Sequence, residues 1–403
     1  MSAPDPRASR VVFFVFVTVF LDLIGFGIII PLLPFYVRTM GGSAETVGFI
    51  LASFSVTQLL ATPFLGRLSD RYGRRPVILL SLAGNAGAMV LFALATRTSL
   101  LWMLFASRIL AGATAGNLSA CQAAIADVTT GERRAAGMGR LGAGIGLGMV
   151  LGPVLGSSVS HIGAWAPPLA AAALACADLI GAFFLMPETN VDCGATSAAA
   201  PEAKKPTLAQ VLSQRRIVAV LALYFLTFLY MSNMQVALAL LTNARLAWTQ
   251  TEIGHVFGLF GLIMLIVQGG LIGGLTRTWG SIPLVIGGSL VSMVGLATIA
   301  LSHHALPLVG GLAMLALGLG VVNPSLSAIA ADAAGSGRQG TVLGFAQSAG
   351  GLARTLGPLL GGLLFARVAA GAPFVAGAVA ATLAAALAIG LKAGERETTG
   401  SRQ

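Results

Sequence analysis

Apolar residues run through this sequence in long unbroken stretches, separated by short polar connections. Twelve such stretches fall near 11–37, 46–66, 76–95, 99–126, 137–160, 166–187, 216–241, 252–275, 282–301, 306–331, 340–366 and 371–391. A helix needs about 20 mostly apolar residues to cross a bilayer, and each stretch is near or above that length. They lack the period-two alternation of barrel strands, which excludes a transmembrane β-barrel. The pattern predicts an all-α membrane protein with twelve transmembrane helices.

Composition agrees. Only 9% of the 403 residues are charged and 56% are hydrophobic, giving a mean hydropathy of +0.88. A soluble domain carries about 25% charged residues, so this surface must meet lipid. The 52 glycines suit closely packed membrane helices. A formal charge of +10 could suggest nucleic acid, but the basic residues sit in short loops with no continuous basic face. They read better as an orientation signal. With the N-terminus inside, the loops, linker and tails on that side hold eighteen Lys or Arg, against Arg38, Arg97, Arg245 and Arg367 opposite. Both termini are therefore expected in the cytoplasm. The N-terminal MSAPDPRASR is too polar for a signal peptide, and the run after it reads as the first span. Cys121, Cys176 and Cys193 match no metal spacing, and His161, His255, His303 and His304 are scattered. No phosphate-cradling loop is present. No metal, cofactor or enzyme activity is expected, and ATP is not the expected energy source.

The long polar stretch at 188–215 reads as a cytoplasmic linker between a six-helix bundle over 1–187 and another over 216–403. The halves repeat. GRLSDRYGRRP (66–76) is echoed in GGLTRTWGSIP (273–283) at an offset of 207, and GPVLG (152–156) in GPLLG (357–361) at 205. NLSACQAAIAD (117–127) resembles NPSLSAIAAD (323–332) after one deletion. Both copies begin on the same side, which makes them parallel, pseudo-symmetric repeats.

Two parallel six-helix halves with a charged loop between helices two and three resemble the major facilitator superfamily over essentially the whole chain. LDLIGFGIIIPLLP (21–34) resembles the first-helix motif of its drug:proton antiporter branch, and SRILAGATAGN (107–117) the fourth-helix motif around an arginine. GLGMVLGPVLG (146–156) resembles the fifth-helix antiporter motif, here Gly148, Gly152, Pro153 and Gly156. Gln58, the run LGRLSDRYGRRPVILLSLAG and the fourth-helix ending IADVT are most similar to tetracycline efflux proteins. The acids of that family in helices three and nine have no counterpart in AGNAGAMVLFA (83–93) or in 282–301. The resemblance implies two bundles around a central cavity and proton-coupled export of small amphipathic, drug-like compounds by alternating access. It also implies a monomer in the bacterial inner membrane. A proton-linked exporter of an endogenous metabolite or sugar, and a non-transporting membrane receptor, stand as alternatives.

Several residues carry candidate chemistry. In the 66–76 loop, Gly66 and Gly73 permit close approach and turning, while Arg71, Arg74 and Arg75 seek carboxylates or helix C-terminal carbonyls. The resemblance implies a gate, with Asp70 latched onto helix eleven and Arg74 reaching Asp127; plain positive-inside topology is the alternative. Asp22 lies about 15 Å into the first helix from Val12. An acid at that depth is a functional hypothesis by default, here a proton carrier with Arg108 as its natural partner, the alternative being a structural hydrogen-bonder to neighbouring backbone. Asp178, in helix six, is either a second titrating site or a packed residue; that helix is expected to be peripheral. Arg354 sits mid-helix where the first-half copy has Met149. It attracts an anionic group, pairs with a carboxylate such as Asp22, or snorkels. The glycine–proline run in helix five favours close packing and a bend, and the resemblance assigns it to sealing the interface between halves. Gln58, Asn117, Gln122, Asn233, Gln235, Gln268, Asn323 and Gln347, with Phe26, Tyr36, Tyr224, Phe225, Phe228 and Tyr230, would line a substrate cavity. The same amides also cross-link membrane helices.

Overall fold

The computed structural model describes residues 6–129, 131–189, 214–334 and 339–400, and among them there is helix but no strand. Twelve helices are long and apolar enough to span a membrane: α1 (Ala8–Ile29), α2 (Ala44–Tyr72), α3 (Arg74–Thr98), α4 (Leu101–Val128), α5 (Ala136–Ser160), α6 (Ala166–Leu185), α7 (Arg215–Leu246), α8 (Gln250–Trp279), α9 (Ser281–Leu301), α10 (Ala305–Ala333), α11 (Val342–Arg367) and α12 (Ala372–Ala393). The first predicted stretch, 11–37, is divided. α1 stops at Ile29, the chain turns through Ile30–Leu32, and a short helix follows over Leu33–Thr39. Pro31 lacks the N–H that would continue the ladder. α4 is broken at Thr114–Gly116 into Leu101–Ala113 and Asn117–Val128, and α8 takes a π-helical turn at Val267–Leu271. The predicted linker lies outside the described residues from 190 to 213, as does Cys193.

The chain forms two compact units. The first holds everything up to Ala198 together with Trp248–Gly261; the second holds Ala199–Ala247 and Leu262–Gln403. The start of α8, placed in the second half by the sequence repeat, thus belongs with the first unit. Glycine packing explains why. Gly144, Gly148, Gly152 and Gly156 recur every fourth residue on α5 and face the backbone of α1 around Phe16, Phe20, Ile24 and Ile28. A Cβ on Gly152 would stand 2.7 Å from Ile24 O and from Gly27 Cα, so only glycine allows this approach. Ser157, Val154 and Val150 of α5 receive Gly254, Gly258 and Gly261 of α8.

The second unit repeats the α1–α5 seam. Gly357 and Gly361 of α11 lie against Leu229, Ser232 and Asn233 of α7. Ile24, Gly27 and Ile28 become Leu229, Ser232 and Asn233 at an offset of 205, the offset that separates GPVLG from GPLLG. The α2–α3 turn repeats too: Gly73 (φ 101°, ψ 165°) and Gly280 (φ 78°, ψ 165°) join α2 to α3 and α8 to α9 in a conformation that favours glycine. Each unit has its own apolar core, around Val15, Ile78, Leu82 and Ile125 in the first and around Leu223, Val285, Val322 and Ala384 in the second.

Candidate functional site

Thr18 and Asp22 are one turn apart on α1 and therefore share a face. Asn85 Nδ2 of α3 donates to Asp22 Oδ1 at 2.7 Å, and Thr18 Oγ1 donates to Asp178 Oδ1 of α6 at 3.0 Å. The break in α4 puts Asn117 at the head of its second segment, where it faces the Asp22 carboxylate; its Oδ1 accepts from Cys121 Sγ at 3.3 Å. Asp178 is 3% exposed and lies within electrostatic reach of Asp22. Four helices of the first unit thus bring two carboxylates into one polar cluster. Among the described residues no cation pairs with either, and Asp178 Oδ2 and Asn117 Nδ2 are buried with no further hydrogen-bond partner. α6, expected to be peripheral, packs against α1 and α3, and so Asp178 points into the bundle.

Arg108 is not the partner of Asp22. It is 1% exposed, with its guanidinium 4.9 Å from the centre of the Phe92 ring, its NH2 3.6 Å from Met89 Sδ and its Nε 3.5 Å from Ser107 Oγ. Phe92 in turn meets the edge of Tyr36. Met89 and Phe92 lie one and two turns along α3 beyond Asn85, so Arg108 sits at a different level from the carboxylates. The ring face offsets part of the cost of burying the cation.

The 66–76 loop is tied down within the first unit. Arg74 Nε donates to Asp127 Oδ2 at 2.9 Å and its NH1 to Asp70 Oδ1 at 2.5 Å. Glu188, just past α6, accepts from the backbone N–H groups of Arg74 and Arg75 at 2.9 and 3.2 Å, which satisfies orphan donors at the start of α3. The Glu188 carboxylate occupies the space that a Gly73 side chain would need, whereas a Cβ on Gly66 would meet nothing. Thr189 Oγ1 adds a bond to Asp127, Arg75 reaches Phe183 O, and Arg71 lies over the Tyr72 ring.

The other singled-out residues scatter. Gln58 and Gln235 are half-buried, while Gln122, Gln268 and Gln347 are exposed, Gln268 on the π turn of α8. Asn233 donates to Pro373 O at 2.6 Å and so fastens α7 to the start of α12. Asn323 has a buried, unpartnered Oδ1, and Arg354 lies over Phe228. Sequence reasoning missed Thr18, Asn85 and Glu188. Thr18 was signalled by its one-turn spacing from Asp22, Asn85 by its place in the helix-three stretch that lacks an acid, and Glu188 by being the first acid after α6.

Twelve spans in two like units, with polar groups buried inside them, define a multi-pass membrane protein. The sequence profile of the Major Facilitator Superfamily matches residues 15–358 and 220–403, and the chain belongs to that superfamily. The class E tetracycline resistance protein of Escherichia coli is 32% identical over 365 residues, covering 89% of this chain and 88% of its own. The human major facilitator superfamily domain-containing protein 10 is 31% identical over 427 residues, covering 93% and 90%. The crystal structure of the human organic anion transporter MFSD10 has a TM-score of 0.70 at 29% identity, covering 95% of this chain and 100% of that one.

Proposed function

We propose that this chain exports a small amphipathic compound in exchange for protons, by alternating access. One observation supports this above others: half-buried Asp22 and buried Asp178 share a cluster whose described hydrogen-bond donors, Asn85 and Thr18, are neutral. Buried carboxylates without a counter-cation are expensive to hold charged. Proton binding is the chemistry open to such a pair, with Asn85 and Thr18 stabilising the ionised state and releasing their bonds as the proton arrives. Protons taken up at Asp22 from the outer face and released inward would drive the exchange, with Asp178 as the second carrier. Substrate class comes from the relatives, whose names point to tetracyclines and to organic anions. The bond of Arg74 to Asp127 makes the 66–76 loop a candidate gate. A monomer in the inner membrane, with both termini cytoplasmic and no cofactor, completes the reading.

The test is proton movement in proteoliposomes under an imposed pH gradient, reported by a pH-sensitive dye. Tetracyclines, cationic dyes, phenicols, quinolones and aromatic acids are added in turn to wild type, Asp22→Asn and Asp178→Asn. The expected result is a flux triggered by one of these compounds that disappears in Asp22→Asn and falls in Asp178→Asn. A flux that survives both substitutions, or no flux with any compound in folded protein, overturns the reading.

A further inference from the structure

The second unit holds a half-buried charge, deep within a span, that proton exchange does not use. Arg354 stands at the middle of α11, twelve residues after Val342 and thirteen before Arg367, or about 18 Å or more from either end. That distance is beyond the reach of a snorkelling side chain. Its guanidinium carbon lies 4.9 Å from the centre of the Phe228 ring of α7. Phe228 stacks on Tyr224, with centroids 6.1 Å apart and planes 19° from parallel, and the Tyr224 hydroxyl bonds Ser327 Oγ of α10 at 3.0 Å. Gly350 makes room for Phe228, since a Cβ there would be 3.0 Å from the ring.

No described residue accepts a hydrogen bond from the Arg354 guanidinium or pairs with it. In the stretches 214–247 and 262–393 the sequence offers one acid, Asp332. It lies at the far end of α10, five residues and about 7 Å beyond Ser327. Arginine cannot shed its charge by losing a proton, and an aromatic face offsets only part of the burial cost. What remains is a planar cation resting on a ring, with its donor edges unused. Such a fork takes a carboxylate, or the two oxygens of a 1,3-dicarbonyl enolate, with two parallel bonds. We infer that Arg354 and Phe228 form a subsite for the planar acidic group of the transported compound: Arg354 binds the anion, and the half-buried Phe228 ring, held in place by the buried Tyr224, lies against the conjugated system that carries it. This assignment rests on the transport reading and narrows it to acidic aromatic or enolic substrates.

Matched pairs of planar aromatic carboxylates and their carboxamides, such as 2-naphthoate and 2-naphthamide, test it. Each is used to compete with the compound that triggers proton flux, in vesicles of phosphatidylcholine alone. The acid is expected to compete about tenfold or more better than the amide, the size of a charge-assisted bond. Arg354→Gln should erase that preference, and Arg354→Lys, which keeps the charge without the fork, should retain part of it. Arg354→Lys also controls for folding, along with the melting temperature of each variant. Equal competition by acid and amide, or a preference that survives Arg354→Gln, overturns the subsite and leaves transport intact. Absence of any flux overturns the transport reading itself. Loss of the preference when phosphatidylglycerol is added identifies a lipid headgroup as the occupant and overturns the substrate assignment.

Discussion

Asp178 rests on a single described hydrogen bond, from Thr18, and that makes the pair a direct probe of the cluster. Thr18→Val keeps the shape and removes the donor. It should cost about 1–3 kcal/mol, the penalty for an unsatisfied buried polar group, read as a lower melting temperature in detergent. In an Asp178→Asn background the same change should cost less, because the charge that needed the bond is gone. At this scale the sequence was half legible. Asp22 and Asp178 were conspicuous as acids in apolar runs. Thr18 and Asn85 were not, because small polar residues are ordinary in membrane helices and hydropathy does not register them. The pairing of Arg108 with Asp22 failed for a geometric reason: it needs the relative heights of α1, α3 and α4, which no spacing along one helix supplies.

Among the elements, α5 works through its glycines. Gly148, Gly152 and Gly156 meet the backbone of α1, so this glycine run fixes the helix that holds Asp22. Gly152→Ala inserts a methyl group between two backbones, neither of which can move aside. The expected cost is about 1–3 kcal/mol, with loss of proton flux although no charge is touched. Gly142→Ala on the same helix meets open space and should leave stability equal or higher, since alanine favours helix over glycine by up to about 1 kcal/mol. Melting curves of the two variants side by side check the contrast. The motif itself could be read from the sequence; its partner could not, because a glycine stripe announces a close approach without naming what approaches.

For the whole molecule, the twofold repeat was readable because sequence echoes kept nearly one offset. The exception, Trp248–Gly261, joins the first unit through side-chain fit with α5 that the echoes do not encode. Charge is unevenly placed between the units. At the α2–α3 turn Arg74 joins α2, α3 and α4, and the described bonds are unequal: Asp70 is 72% exposed and Asp127 25%. Asp70→Asn should therefore cost less than about 1 kcal/mol, and Asp127→Asn more, in thermal denaturation at low and high salt. The second copy of this turn keeps its glycine, Gly280, and has Arg277 where the first has Asp70.

The seams at Gly152 and Gly357 place the same backbone approach at the same offset in both units, while the side chains around them have parted company. Where the first unit has Asp22 the second has Thr227, and where the second has Arg354 the first has Met149. A bundle whose α1–α5 or α7–α11 seam is held by glycine keeps that seam whichever polar residues stand beside it. New specificities in such a protein are therefore expected to arise by exchanging polar residues at positions 205 apart, with the glycine seams unchanged.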